Sequence, residues 1–183
     1  MVRIISGTAR GRRLKVPPGR NTRPTSDRLR EALFNILQVE EKSFLDVFAG
    51  SGAVGLEALS RGASRAAFIE KDPLALKALR DNLRLTGFDS RAKVLPLDVL
   101  QAADRLARNR ERFDFIFLDP PYGQGLGERV LPFFVPLLAH EGWIVLETGR
   151  REVVPRPAGV ALRASRRYGD SVLNLYQKEH GGS

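Results

Sequence analysis

The sequence predicts an α/β chain: a doubly wound, mostly parallel sheet ending in an antiparallel strand pair, with a small basic β-hairpin ahead of it. Three observations lead there. Short apolar runs alternate with segments of helical periodicity between Ser43 and Glu147, which is how strand–helix–strand units read. A glycine-rich turn, Gly50-Ser51-Gly52-Ala53-Val54-Gly55, follows the first of those runs and opens a helix. The run Phe113–Leu118 ends on Asp119-Pro120-Pro121-Tyr122, where two prolines that cannot donate to a ladder stop the strand at its carboxyl edge.

Taken in order, Val2–Ser6 and Arg12–Val16 read as short strands around the turn Gly7–Gly11. Pro17-Pro18-Gly19 breaks that pattern, and the boundary is set so that 1–21 is a basic hairpin or arm and 22–183 the α/β domain. A helix is expected over Arg28–Leu37, capped by Thr25 or Ser26, with Leu29, Leu33, Phe34 and Leu37 inward and Arg28 and Glu31 outward. Ser43–Ala49 reads as the first central strand, and the helix after the glycine turn runs to about Arg61. Ala66–Ile69 is the next strand, ending at Glu70. Asp72 as N-cap, Pro73 at the first helical position and Gly87 past the end delimit a helix whose Leu74, Leu76, Leu79 and Leu83 are assigned to the core. Ala92–Leu97 (strand), Leu100–Arg110 (helix), Glu128–Leu138 (helix) and Gly142–Glu147 (fifth parallel strand) follow. Ala158–Arg167 and Ser171–Gln177 then pair through Tyr168-Gly169-Asp170, and the last five residues are expected to fray.

Composition narrows the chemistry. The 183 residues suffice for one domain with a sizeable core. There is no cysteine, so disulfides, a thiolate nucleophile and cysteine-bound zinc are excluded, and the expected setting is cytoplasmic. His140 and His180 are the only imidazoles, too few and too scattered for a histidine-rich metal site. No apolar stretch approaches the ~20 residues that cross a bilayer. Charge is unevenly placed. The first 30 residues hold Arg3, Arg10, Arg12, Arg13, Lys15, Arg20, Arg23, Arg28 and Arg30 against Asp27 alone, which is +8 of the formal net +9. Such an arm points to a polyanionic partner.

The glycine turn is a literal G-x-G-x-x-G with an acid, Glu70, twenty residues beyond Gly50. It makes the sheet Rossmann-like and indicates a nucleoside-containing cofactor whose ribose Glu70 would hold. Asp46, just before the loop, would repel a pyrophosphate but suits the cationic amino end of a methionine moiety. Asp98, at the end of another apolar run, could accept from an adenine amine. Those acids, with no basic residue in the loop, favour S-adenosylmethionine over NAD. The alternatives are that Asp98 caps the next helix and that Asp46 only bonds the glycine turn, and the two together are the less favoured reading. At the other motif, the Asp119 carboxylate and the Pro120 carbonyl offer two acceptors for both N–H bonds of a planar amine, and Tyr122 could stack on its ring. A tight turn closed by Asp-Pro-Pro is the plainer reading.

Asp46–Gly55, Glu70, Asp98 and Asp119–Tyr122, at strand ends in this order, resemble the class I S-adenosylmethionine-dependent methyltransferases. Arg3-Ile4-Ile5-Ser6-Gly7, Gly11-Arg12, Thr22-Arg23-Pro24-Thr25, Arg30–Asn35 and Tyr168-Gly169-Asp170 are similar to the bacterial 16S ribosomal RNA guanine-N2 methyltransferase family (RsmD type). The resemblance implies a cofactor set of Asp46, Ala49, Gly50, Ser51, Gly52, Gly55, Glu70, Lys71, Asp98, Val99 and Asp119, and a catalytic set of Asp119, Pro120, Pro121 and Tyr122. It implies RNA contacts at Arg3, Arg10, Arg12, Arg13, Lys15 and Arg23, no metal, and a monomer acting on 16S ribosomal RNA, within a small subunit or its precursor. An adenine N6 or a glutamine amide would fit Asp119–Tyr122 as well. The rival classes are an NAD-dependent oxidoreductase, which leaves Asp119–Tyr122 and the basic arm without a task, and a non-catalytic RNA-binding assembly factor.

Overall fold

A computed structural model describes residues 2–17 and 26–179. Seven strands form a mostly parallel sheet with an antiparallel pair, and a separate two-stranded antiparallel sheet lies at the N-terminus. The chain divides into two compact units, Met1–Asp98 and Val99–Ser183.

In the first unit, β1 (Val2–Arg3) and β2 (Arg13–Leu14) pair Val2 with Leu14 and Arg3 with Arg13. They are shorter than the expected Val2–Ser6 and Arg12–Val16 because other groups take the next backbone donors. The N–H groups of Ile5 and Ser6 both go to the Glu57 carboxylate, at 2.8 and 3.0 Å. α1 (Asp27–Ile36) is capped by Ser26, whose Oγ accepts the Leu29 N–H. Thr25, the other expected cap, lies outside the described residues, as do Pro18-Gly19, Arg23 and His180. Arg28 and Glu31 face outward.

β3 (Ser43–Val47), β4 (Arg65–Ile69) and β5 (Ala92–Leu95) run parallel in the order β5-β4-β3. β3 is buried along its whole length and ends two residues before the expected Ala49, since Phe48 turns to φ +63°. β5 stops at Leu95, not Leu97, because Pro96 cannot extend the ladder. α2 (Ala53–Ser60) is buried throughout. α3 (Pro73–Thr86) has the expected ends: Asp72 Oδ2 accepts the Ala75 N–H at 2.9 Å, and Gly87 leaves at φ +72°. Leu76, Leu79 and Leu83 are core, but Leu74 is 53% exposed. Two positions from Leu76, it falls on the opposite face of a 3.6-residue repeat, which corrects its assignment to the core.

The second unit contains α4 (Val99–Arg108), β6 (Phe113–Leu118), α5 (Leu126–Phe134), β7 (Leu138–Gly149), β8 (Val160–Tyr168) and β9 (Ser171–Lys178). β7 lies parallel to β6 and antiparallel to β9, and β8 is the edge strand on β9. α5 begins and ends earlier than the expected Glu128–Leu138. A 3₁₀ turn over Val135–Leu137, containing Pro136, follows it, and Leu138 already belongs to β7. β7 is twice the expected length, since β6 pairs with it from Leu138 and β9 supplies partners as far as Gly149. Among the described residues no helix is long and apolar enough to cross a membrane, and no group of three or more acids or histidines could hold a metal ion.

Candidate active site

The first unit presents the glycine turn together with three of the expected acids. After β3 the chain passes Phe48 in the left-handed region, a conformation rare for a bulky residue and one that marks strain held in place by its surroundings. The three glycines have different tasks. A Cβ on Gly52 would come within 2.3 Å of Leu79, and one on Gly55 within 2.3 Å of the Phe68 ring, so these two close the turn and the helix onto the sheet. Gly50, at φ +57°, has nothing within 4 Å of its absent Cβ. It is the position in the turn that a ligand can approach.

Around Gly50 the acids are already engaged with backbone. Glu70 Oε2 accepts the Gly50 N–H at 2.9 Å, and Oε1 accepts the N–H groups of Lys71 and Asp72 at 2.8 Å each. Asp46 is 2% exposed and accepts the Gly55 N–H at 2.9 Å. Burial pushes its pKa up to about 7; the Gly55 hydrogen bond opposes this and the nearby Glu70 charge reinforces it. Asp98, by contrast, is outward-facing and meets Lys71 Nζ at 3.0 Å in an exposed pair. Ala49 holds the turn through its carbonyl, which accepts the Gly52 N–H at 2.8 Å. The arrangement fits S-adenosylmethionine. There is open space over Gly50 for a nucleoside, a buried carboxylate for a cationic amino group, and rim carboxylates for ribose and adenine. In this unit Asp46, Ala49, Gly50, Ser51, Gly52, Gly55, Glu70, Lys71 and Asp98 are the residues that would hold it.

A residue the sequence reading passed over ties this turn to the hairpin. The Asn82 side chain is fully buried on α3. Its Oδ1 accepts the Lys15 N–H at 2.8 Å, and its Nδ2 donates to the carbonyls of Lys15 and Ser51 at 2.9 Å each. The signal was available: Asn82 is polar, yet it sits between Leu79 and Leu83 on the buried face. The hairpin is docked a second time on α2, where Ser60 Oγ accepts the Ala9 N–H and donates to the Ser6 carbonyl. Arg3, Arg10, Arg12, Arg13 and Lys15 are all exposed on it. Lys15 reaches Asp81 at 3.0 Å and Arg3 lies 3.7 Å from Asp27.

The second unit presents Asp119–Tyr122. Asp119 is half-buried at the end of β6, Pro120 is buried, and Pro121 and Tyr122 are exposed. The Tyr122 hydroxyl donates to Glu147 Oε1 at 2.5 Å and lies 2.9 Å from Ser171 Oγ. Burial, the Glu147 hydrogen bond, and the charges of Glu147 and Asp119 together outweigh Ser171 and hold this hydroxyl in its protonated form well above the usual tyrosine range. The ring is thus pinned at its polar end while 41% of the residue stays exposed. Behind it, Glu152 Oε1 accepts the Gly123 N–H at 2.8 Å and Oε2 the Gly149 N–H at 2.6 Å, fixing the start of the glycine-rich segment after Tyr122. Glu147 was legible as one more acid ending an apolar strand. Ser171 and Glu152 gave no sequence signal. Val99, the remaining residue of the expected cofactor set, is half-buried at the start of α4.

Comparison with known proteins places this geometry. Residues 2–177 match the family described as "Conserved hypothetical protein 95". The chain is 38% identical to ribosomal RNA small subunit methyltransferase D of Escherichia coli strain K12, over 99% of this chain and 92% of that protein. It is 36% identical to the protein of the same name from Haemophilus influenzae, over 96% and 93%. A solved structure, Thermus thermophilus hypothetical protein TTHA0928, superposes with a TM-score of 0.83 at 39% identity, over 97% of this chain and 99% of that one. With the strand order, the glycine turn and the Asp-Pro-Pro-Tyr motif already in place, the chain belongs to this RsmD-type family of S-adenosylmethionine-dependent ribosomal RNA methyltransferases.

Proposed function

We propose that the protein methylates the exocyclic N2 amine of a guanine in small-subunit ribosomal RNA, acting as a cytoplasmic monomer on the small subunit or its precursor. The observation that carries this reading is the fixing of Tyr122. Its hydroxyl is held by Glu147 and Ser171 beside the Asp119 charge, so its orientation is set before substrate arrives. A ring held this way suits stacking on a flat base. A guanine amine is a poor nucleophile because its lone pair is delocalised into the ring. The Asp119 carboxylate and the Pro120 carbonyl accept its two hydrogens, draw them out of the ring plane and free the lone pair. Positive charge develops on that nitrogen as the bond forms, and the Asp119 carboxylate stabilises it.

S-adenosylmethionine supplies a sulfonium methyl as the electrophile. In the first unit Asp46, Glu70 and the turn at Gly50 would hold this donor, and in the second Asp119–Tyr122 would hold the amine. Proline at 121 keeps the motif from sagging, since its φ is fixed. A stacked base cannot reach Asp119, so the target must be unpaired or extruded, at a cost of a few kcal/mol that stacking on Tyr122 offsets in part. The basic hairpin, with Arg23, holds the RNA backbone.

Asp119→Ala should abolish tritiated methyl transfer to unmodified small subunits and leave S-adenosylhomocysteine affinity intact. Turnover retained in a single-turnover assay would remove Asp119 from this role. Mapping the labelled nucleotide distinguishes guanine from adenine.

A further inference from the structure

Between Arg150 and Arg167 the chain carries six arginines (150, 151, 156, 163, 166 and 167) and one acid, Glu152. The run does not show in the net charge because acids elsewhere cancel it. All six arginines are exposed. Strand pairing gathers several of them around one residue. β7 and β9 set Gly149 opposite Ser171, so Arg150 and Arg151 emerge beside it. β8 and β9 set Tyr168 opposite Ser171 and Arg166 opposite Leu173. Directly opposed residues, and those two apart on a strand, share a face of the sheet, which puts Arg166 on the face of Ser171. Arg167 falls on the other face, and its Nε donates to the Gly169 carbonyl at 2.9 Å. Ser171 is the residue whose Oγ lies 2.9 Å from the Tyr122 hydroxyl. Glu152, next to Arg151, accepts the N–H of Gly123, next to Tyr122. The two residues that fix Tyr122 and the turn after it, Ser171 and Glu152, thus neighbour these arginines in strand register and in sequence.

We propose that Arg150, Arg151 and Arg166 form a second RNA-binding surface, distinct from the hairpin, that grips phosphates flanking the nucleotide stacked on Tyr122. The proposal rests on the reading of Tyr122 given above. Arginines on an edge strand also discourage sheet-to-sheet pairing, and β8 is an edge. That role accounts for Arg163, within the strand. It does not account for Arg150 and Arg151, which lie past the end of β7 and off the edge. Arg150 lies 3.6 Å from Asp170 in an exposed pair, and Arg151 and Arg166 make no ion pair among the described residues. Extruding a nucleotide swings it about its backbone and distorts the chain on either side of it. Cations on the strand ends beside Ser171 hold that distorted backbone.

The test uses unmodified small ribosomal subunits and three forms of the full chain. These are wild type, the triple variant Arg150→Gln/Arg151→Gln/Arg166→Gln, and the same three positions changed to lysine. RNA affinity is measured across a salt series and methyl transfer under steady state. The glutamine triple should flatten the dependence of log affinity on log salt by about 0.7–0.9 per lost phosphate contact, two to three such contacts in all. Its KM for RNA should rise with kcat and S-adenosylhomocysteine affinity unchanged, and the lysine triple should restore the salt slope. A glutamine triple with the wild-type slope and KM overturns the proposal while leaving the proposed function standing. A wild type that transfers no methyl group to these subunits, yet binds them with a slope the triple reduces, supports this surface and overturns the proposed reaction.

Discussion

Asp46 is a carboxylate that folding has made reluctant to ionise. With a native pKa of about 7, raised from 3.8 chiefly by burial, it holds its proton more tightly folded than unfolded. Its contribution to stability is therefore complete below about pH 4 and is lost as pH rises toward 7. A cation bound against it must displace that proton. S-adenosylmethionine affinity should accordingly rise with pH up to about 7, with up to one proton released, and Asp46→Asn should flatten the rise. Calorimetry in two buffers of different ionisation heat measures the proton count; a count of zero at pH 6 would take Asp46 out of the amino-group site. At Tyr122 the hydroxyl and the ring have separable roles. Tyr122→Phe keeps the ring but takes one hydrogen-bond donor from buried Glu147, a loss of about 1–3 kcal/mol. The variant should retain S-adenosylhomocysteine affinity and lose methyl transfer through a higher KM for RNA as the ring becomes free to turn. Unchanged kinetics would show that the hydroxyl anchor plays no part in positioning.

The element most dependent on a single side chain is the hairpin. Glu57, fully buried in α2, accepts the Ile5 and Ser6 N–H groups and Arg61 Nε at 2.8 Å, and lies 3.9 Å from Arg30 Nη1. Arg30, also fully buried, donates from Nη2 to the Arg3 carbonyl at 2.9 Å and to Asp27 at 2.6 Å. Removing Glu57 takes the acceptor from the Ile5 and Ser6 N–H groups and from Arg61, and leaves buried Arg30 with Asp27, itself half-exposed, as its acid. Glu57→Ala should cost about 3–5 kcal/mol by that mechanism, seen as a fall in the midpoint of chemical denaturation. It should also release the N-terminal strand, read as faster amide exchange at Ile5 and Ser6. Arg30→Met in that background should recover part of the loss, since it removes a buried charge whose remaining acid, Asp27, is half-exposed. A midpoint unmoved by Glu57→Ala would show that the hairpin is held by Ser60 and Asn82 instead.

For the molecule as a whole, charge is segregated by sequence position. The first 30 residues hold nearly all of the net charge, and Arg10, Arg12 and Arg13 stand exposed on a hairpin bonded to α2 and α3. Arg10→Gln/Arg12→Gln/Arg13→Gln should weaken binding to small-subunit RNA and reduce its salt slope by about two to three, with S-adenosylhomocysteine affinity unchanged. An unaltered slope in filter binding would assign these charges to solubility.

Sequence alone determined the alternation of strands and helices, because burial on both faces of a parallel strand demands an apolar run and a helix demands its own period. It also located Gly50–Gly55 and Asp119–Tyr122, since glycine and proline constrain the backbone locally whatever surrounds them. Element ends were less legible: β3 closed early at Phe48, held in the left-handed region by its surroundings, and α5 closed before Pro136, a local stop inside the expected helix. Only the tertiary structure brought Glu147 and Ser171 onto the Tyr122 hydroxyl, Asn82 between Lys15 and Ser51, and Glu57 under the hairpin. Each of these contacts joins residues 25 or more positions apart. Hydrogen-bond partners at that separation are set by packing, which local chemistry does not encode.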